Sequence, residues 1–134
     1  MSILVAQTFL PFDDADAALG FYRDLLGFEV AADVDHEGMR WITLASEAQP
    51  GVQLVLETVG AGAPGDVETL GDLLAKGVLG RVILATDDLD GLYATLEAAG
   101  VEVLQEPQDQ FWGVRDAAVR DPAGNVIRIQ HRPA

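Results

Sequence analysis

The alternation of apolar and polar positions divides the chain into short strands and amphipathic helices, and it does so twice in the same order. Residues 3–10, "ILVAQTFL", have the apolar density of a strand, which is expected to end at Pro11 because proline lacks the N–H a ladder needs. Asp14 or Asp16 can cap a helix on which Leu19, Tyr22, Leu25 and Leu26 recur at helical spacing. Gly27 follows as the left-handed residue that closes such a helix. "FEVAADV" and "MRWITLAS" read as strands joined by a "DHEG" hairpin turn, and "VQLVLET" is a third strand after "EAQPG". The order is β-α-β-β-β.

Residues 60–79 read as a connection. "GAGAPG" is a flexible loop, and "DVETLGDLLAKG" is a short helix with Asp66 as its cap and Leu70, Leu73 and Leu74 on one side. The pattern then restarts. "RVILAT" is a strand. Asp88 or Asp90 caps a helix bearing Leu89, Leu92 and Leu96, which ends at Gly100. "VEVLQE", "GVRDAAVR" and "NVIRIQ" complete a second β-α-β-β-β unit. The expected organisation is one domain of two modules, 1–59 and 80–134, bridged by 60–79.

The two halves also match in sequence. "DADAALGFYRDLLGFEV" aligns with "DLDGLYATLEAAGVEV" once one residue is deleted. Gln7 precedes Asp14 by seven residues, as Arg81 precedes Asp88; 46 residues separate Gln7 from Gln53, and 47 separate Arg81 from Arg128. Near-equal spacing of this kind is the mark of a duplicated unit.

Strand side chains alternate between two faces. One face of each principal strand is almost purely apolar: Leu54 and Leu56, Val82 and Leu84, Ile127 and Ile129. That face is assigned to the helix of its own module. The opposite face carries Gln7, Phe9, Trp41, Thr43, Gln53, Glu57, Arg81 and Arg128, and it becomes a cleft if the two sheets curve toward each other.

Composition narrows the chemistry. The chain has 134 residues, 49% of them hydrophobic, which favours one domain with a substantial core. It has no cysteine, so disulfides and thiolate chemistry are excluded. Neither a signal peptide nor a membrane span is expected, and the expected location is the cytoplasm. The net charge of −14 opposes binding to nucleic acid and to anionic membranes. Only eight residues are Lys or Arg, which makes an arginine inside an apolar strand unusual. "DVDHEG" lacks the carboxylate that would complete an EF-hand and reads as a turn; "GAGAPGD" lacks a Walker lysine and reads as a linker, with a role as a lid left open.

The sequence resembles the vicinal oxygen chelate superfamily: glyoxalase I, bleomycin-resistance proteins, extradiol dioxygenases and their relatives. The resemblance is carried by "DADAALGFYRDLLGFEV", "TDDLDGLYATLEAAGVEV" and "WGVRDAAVRDPAGNVIRI", and it covers nearly the whole chain. It implies an α+β fold of two tandem βαβββ modules whose curved mixed sheets form a cleft. It also implies a homodimer, sometimes with exchanged modules. The ligand positions of metal-dependent members fall on Gln7, Gln53 (or Glu57), Arg81 and Arg128. Arginine has no lone pair to offer a metal and stays protonated at working pH. Neither a metal site nor a cofactor is therefore expected.

Two functions remain open. The first is a small-molecule-binding protein of the bleomycin-resistance type that sequesters an antibiotic or metabolite. Gln7, Phe9, Trp41, Gln53, Glu57, Arg81, Phe111, Trp112 and Arg128 would line its site, and the ligand would be anionic or aromatic. The second is a metal-independent lyase or isomerase acting on a small oxygenated substrate, with Glu57 as its catalytic base unless Tyr22 or Asp116 reaches the cleft. His36 reads as solvated and His131 lies near the C-terminus. A metal-dependent glyoxalase or dioxygenase ranks below both. Two guanidinium groups about 6 Å apart repel by roughly 3 kcal/mol at an effective dielectric of 20. The sequence thus calls for an anion beside them, either Glu57 or a ligand.

Overall fold

The computed structural model of the chain describes residues 1–60 and 62–134. Two four-stranded mixed sheets form, each with its own helix. In the first module β1 (Gln7–Phe12) leads to helix α1 (Ala15–Leu19), which runs on into a π-helical turn (Gly20–Leu25); β2 (Glu29–His36), β3 (Met39–Ala45) and β4 (Gln53–Thr58) follow. Helix α2 (Pro64–Ala75) joins the modules. The second contains β5 (Arg81–Thr86), α3 (Leu89–Ala98), β6 (Val103–Asp109), β7 (Arg115–Arg120) and β8 (Val126–His131). The strand orders are β1-β4-β3-β2 and β5-β8-β7-β6, with β1 and β5 parallel to their neighbours and every other pair antiparallel.

The helices begin and end where their sequences dictate. Asp14 accepts from the Ala17 amide at 3.1 Å and Asp88 from the Gly91 amide at 3.1 Å, caps worth about 1 kcal/mol each. Gly27 and Gly100 close the two helices with φ of +83° and +79°. The extra residue of the first module is absorbed in the π-helical turn, where the Leu26 amide reaches back five residues to the Phe21 carbonyl at 3.0 Å. The helix α2 departs from expectation: it starts at Pro64, Ala63 holds the cap position without a side-chain bond, and Asp66 lies in the first turn. Proline is suited to that first position because its absent N–H would be unpaired there anyway. The loop "GAGAPG" includes Ala61, which lies outside the described residues, and its last two residues are helical.

The strand β1 also differs. It begins at Gln7, not at Ile3, and continues through Pro11 to Phe12. Pro11 is tolerated because β1 is an edge strand, so one side of its backbone has no ladder partner. Pro107 in β6, on the far edge of the second sheet, follows the same rule. Ile3, Leu4 and Val5 lie outside the sheet and are exposed.

One hydrophobic core serves both modules. Leu10, Phe12, Ile42, Leu54 and Leu56 from the first sheet join Ala117, Val119, Ile127 and Ile129 from the second, with Phe21, Leu89 and Leu96 from the helices. These are the faces that strand alternation assigned to the helices, and each large side chain buried there contributes about 1.5–3 kcal/mol. A polar strut crosses the core. Tyr22, at the π-helical turn, donates to Asp121 at 2.5 Å, and Asn125 donates to Asp121 at 2.8 Å and to the Pro11 carbonyl at 2.7 Å. The "DPAGN" turn is fixed by Asp121, which accepts from the amides of Ala123, Gly124 and Asn125. Gly124 has φ +121°, and a Cβ there would lie 2.1 Å from the Leu74 carbonyl oxygen. Only glycine lets the end of α2 dock on this turn.

Candidate functional site

Packing the helix sides together leaves the other face of each sheet open. Phe9 is 54% exposed and Ile83 is 62% exposed, on the edge strands β1 and β5. On the first open face the register aligns Gln7 with Gln53; Phe9 with Val55 and Thr43; and Pro11 with Glu57 and Trp41. Gln7, Phe9, Trp41, Gln53 and Glu57 thus share one surface, as alternation requires. Gln7 donates its amide to Gln53 at 3.0 Å. The Trp41 indole Nε1 donates to Glu57 Oε2 at 2.7 Å.

A cavity of about 290 Å³ opens at one end of this face. Phe9, Pro11, Met39, Leu70 and Leu79 wall it, and among the described residues Glu57 is its only ionisable lining residue. Leu70 comes from α2 and Leu79 from the segment after it, a region with no sequence signal of a binding wall. A larger hollow, about 640 Å³, lies on the helix side between the modules and includes none of the expected site residues. At its rim Arg120 is paired with Glu102 at 2.6 Å.

The second open face has a different polar arrangement. Ile83, Arg128, Ala118 and Gln105 form one row across the sheet. Arg128 Nη1 donates to Asp116 Oδ2 and to Gln105 Oε1, each at 3.1 Å. Gln105 and Gln110 both donate to Asp116 Oδ1 at 2.9 Å. Asp116 is 2% exposed. Its burial alone would raise the pKa, but the hydrogen bonds from Gln110, Gln105 and Arg128, with the guanidinium charge, outweigh burial and hold the carboxyl below the usual range. The anion that Arg128 required is therefore inside its own sheet. It is neither Glu57, whose carboxylate belongs to the other sheet and accepts from Trp41, nor, of necessity, a ligand. Asp116 could have been found from "RDAAVR": it is an acid in an apolar strand, on the parity opposite Ala117 and Val119.

The register also corrects the repeat. Gln53 opens β4 and Val126 opens β8, so the counterpart of Arg128 is Val55; neither Gln53 nor Glu57 occupies the matching place. Sequence spacing placed Arg128 on the correct face but two residues out of line, because a two-residue shift preserves alternation. Arg81 is exposed at the start of β5, with no salt bridge among the described residues. Phe111 and Trp112 meet edge-to-face at 4.8 Å at the exposed tip of the β6–β7 hairpin. Among the described residues, neither of these two hollows is lined by Arg81, Arg128, Phe111 or Trp112. His36 and His131 are exposed at strand ends.

The divalent ion of metal-dependent relatives does not fit these residues. Gln7 and Gln53 bond each other, two of the implied positions carry guanidinium groups, and among the described residues no three His, Asp or Glu side chains converge to hold a metal. Tyr22 is committed to Asp121 in the core; burial first, then the Asp121 charge and hydrogen bond, push its pKa far up. Neither Tyr22 nor Asp116 is free to act as a base.

Comparison with known proteins gives a consistent picture. Residues 4–129 match the family model described as Glyoxalase/Bleomycin resistance protein/Dioxygenase superfamily. The protein YurT of Bacillus subtilis (strain 168) is 34% identical over 130 residues, covering 96% of this chain and 98% of that one. The crystal structure of UcmS2 superposes with a TM-score of 0.84 at 32% identity, covering 97% of this chain and 98% of that one. The structure of TnmS3, an antibiotic binding protein from Streptomyces sp. CB03234, has a TM-score of 0.73 at 31% identity and covers 100% and 99% of the two chains.

Proposed function

This chain belongs to the Glyoxalase/Bleomycin resistance protein/Dioxygenase superfamily, and from that premise we propose that it is a small-molecule-binding protein that sequesters an antibiotic or metabolite with aromatic surface. One observation carries the reading. The first open face presents Phe9 and Trp41 with the donors and acceptors of Gln7, Gln53 and Glu57, next to a ready-formed hollow. Apolar walls with a few convergent polar groups are what ligand sites require. The similarity to TnmS3, described as an antibiotic binding protein, supports the same class of activity.

The proposed site is completed by a second copy of the chain. Edge strands β1 and β5 have unpaired sides, and the exposed Phe9 and Ile83 lie along them. In such a homodimer the second face of one copy covers the first face of the other. Arg81 and Arg128 then supply donors, and Phe111 and Trp112 a stacking edge, to a ligand resting on Phe9 and Trp41. The proposed location is the cytoplasm.

Calorimetric titration with a panel of aromatic antibiotics, followed by chromatography of the released ligand, tests the proposal. Binding with the ligand recovered intact is the expected result. Chemical conversion of the ligand would replace the binding reading with the metal-independent lyase or isomerase. Absence of binding across the panel would remove it.

A further inference from the structure

The hollow at the end of the first open face has more apolar wall than charge, and the single charge is a carboxylate. Glu57 Oε2 is occupied by the Trp41 indole at 2.7 Å, and among the described residues Glu57 Oε1 has no hydrogen-bond partner. Among the described residues no arginine or lysine lines the hollow. Arg40, one residue from Trp41 in sequence, is held by Asp33 through bonds of 2.9 Å and 2.7 Å, and Arg128 is held by Asp116. Arg40 and Arg128 are therefore each engaged by a carboxylate of their own sheet.

We infer that this hollow is a subsite for an apolar group bearing a protonated amine, which places its N–H donors on Glu57 Oε1 while its hydrocarbon body lies against Phe9, Met39, Leu70 and Leu79. The inference rests on the small-molecule reading above and names the chemistry of one end of the ligand. A half-buried carboxylate beside an apolar wall discriminates by charge, because it forms a charge-assisted hydrogen bond with a cation and repels an anion. The volume, about 290 Å³, suits a single ring with a short chain. The remainder of a larger ligand would extend along the open face past Gln7 and Gln53.

The two tryptophans make the test direct. Trp41 reports on the hollow through the indole N–H bound to Glu57, whereas Trp112, 55% exposed on the other module's hairpin, does not line the hollow and reports separately on the stacking edge. Uniformly ¹⁵N-labelled full-length protein is titrated with 2-phenylethylamine, 2-phenylethanol and phenylacetate, and the two indole cross-peaks are followed. The amine should move the Trp41 peak at the lowest concentration, the alcohol at a higher one, and phenylacetate least. The Glu57→Gln variant keeps an acceptor for Trp41 and should weaken the amine about ten-fold or more while changing the alcohol little. Phenylacetate moving the Trp41 peak more tightly than the amine would overturn the inference and leave small-molecule binding standing. Equal amine affinity in Glu57→Gln would do the same, and the wild-type ranking decides the question if the variant does not fold. If no probe moves either indole, the subsite and the binding reading fall together.

Discussion

The Arg128–Asp116 pair offers the sharpest check on the second open face. Replacing Arg128 with glutamine removes the guanidinium and leaves Asp116, 2% exposed, with its remaining donors Gln105 and Gln110. Loss of one partner of a fully buried ion pair costs about 3–5 kcal/mol. Here the Arg128 side chain is 36% exposed, so solvent screens part of the interaction, and two amide donors still satisfy the carboxylate. The expected destabilisation is about 1–2 kcal/mol for Arg128→Gln and about the same for Asp116→Asn. The double variant should cost less than the sum, with a coupling of about 1 kcal/mol, because the second replacement removes a group that already lacks its partner. Urea unfolding of the four proteins at pH 7 measures this. The pH dependence has a definite sign. The folded Asp116 pKa lies below its unfolded value, so its stabilisation is complete above the unfolded carboxylate range and is lost as pH falls through the folded value. The wild type should therefore keep its advantage over Asp116→Asn down to about pH 4 and lose it below. Additive single costs, or an advantage that is constant to the lowest pH at which the protein folds, would refute the assignment of Asp116 as the anion for Arg128.

Two further outcomes follow from the geometry. Tyr22→Phe removes the bond to Asp121 that joins the π-helical turn to the "DPAGN" turn, and should cost about 1–3 kcal/mol in urea unfolding; because the Tyr22 pKa is raised, the wild type's advantage should be full below the unfolded tyrosine value near 10 and decline as pH rises above it, and a cost below 0.5 kcal/mol would argue against a strut. Ile83→Asp, on the exposed face of edge strand β5, should convert the proposed dimer to a monomer in light scattering while leaving the circular dichroism spectrum unchanged, and a wild type that is itself monomeric, or an unchanged mass, would count against pairing through this face.

The sequence by itself determined what is local or periodic. The two β-α-β-β-β modules, a cap at Asp14 or Asp16 and another at Asp88 or Asp90, the closing glycines, and the face on which each strand side chain points all follow from covalent geometry and a period of two or 3.6 residues; the structure selects Asp14 and Asp88. That is why Gln7, Phe9, Trp41, Gln53 and Glu57 could be grouped from spacing alone, and why Arg81 and Arg128 were seen to face away from the helices. Tertiary structure decided how far each strand slides along its neighbour. Alternation is blind to a slide of two residues, so Arg128 aligns with Ile83 and corresponds to Val55, and its anion is Asp116 from an adjacent strand. Tertiary structure also brought Leu70 and Leu79, more than ten residues beyond β4, over Glu57 to wall a hollow. Hydrogen-bond register and loop path are fixed by contacts between segments distant along the chain. No local pattern encodes them.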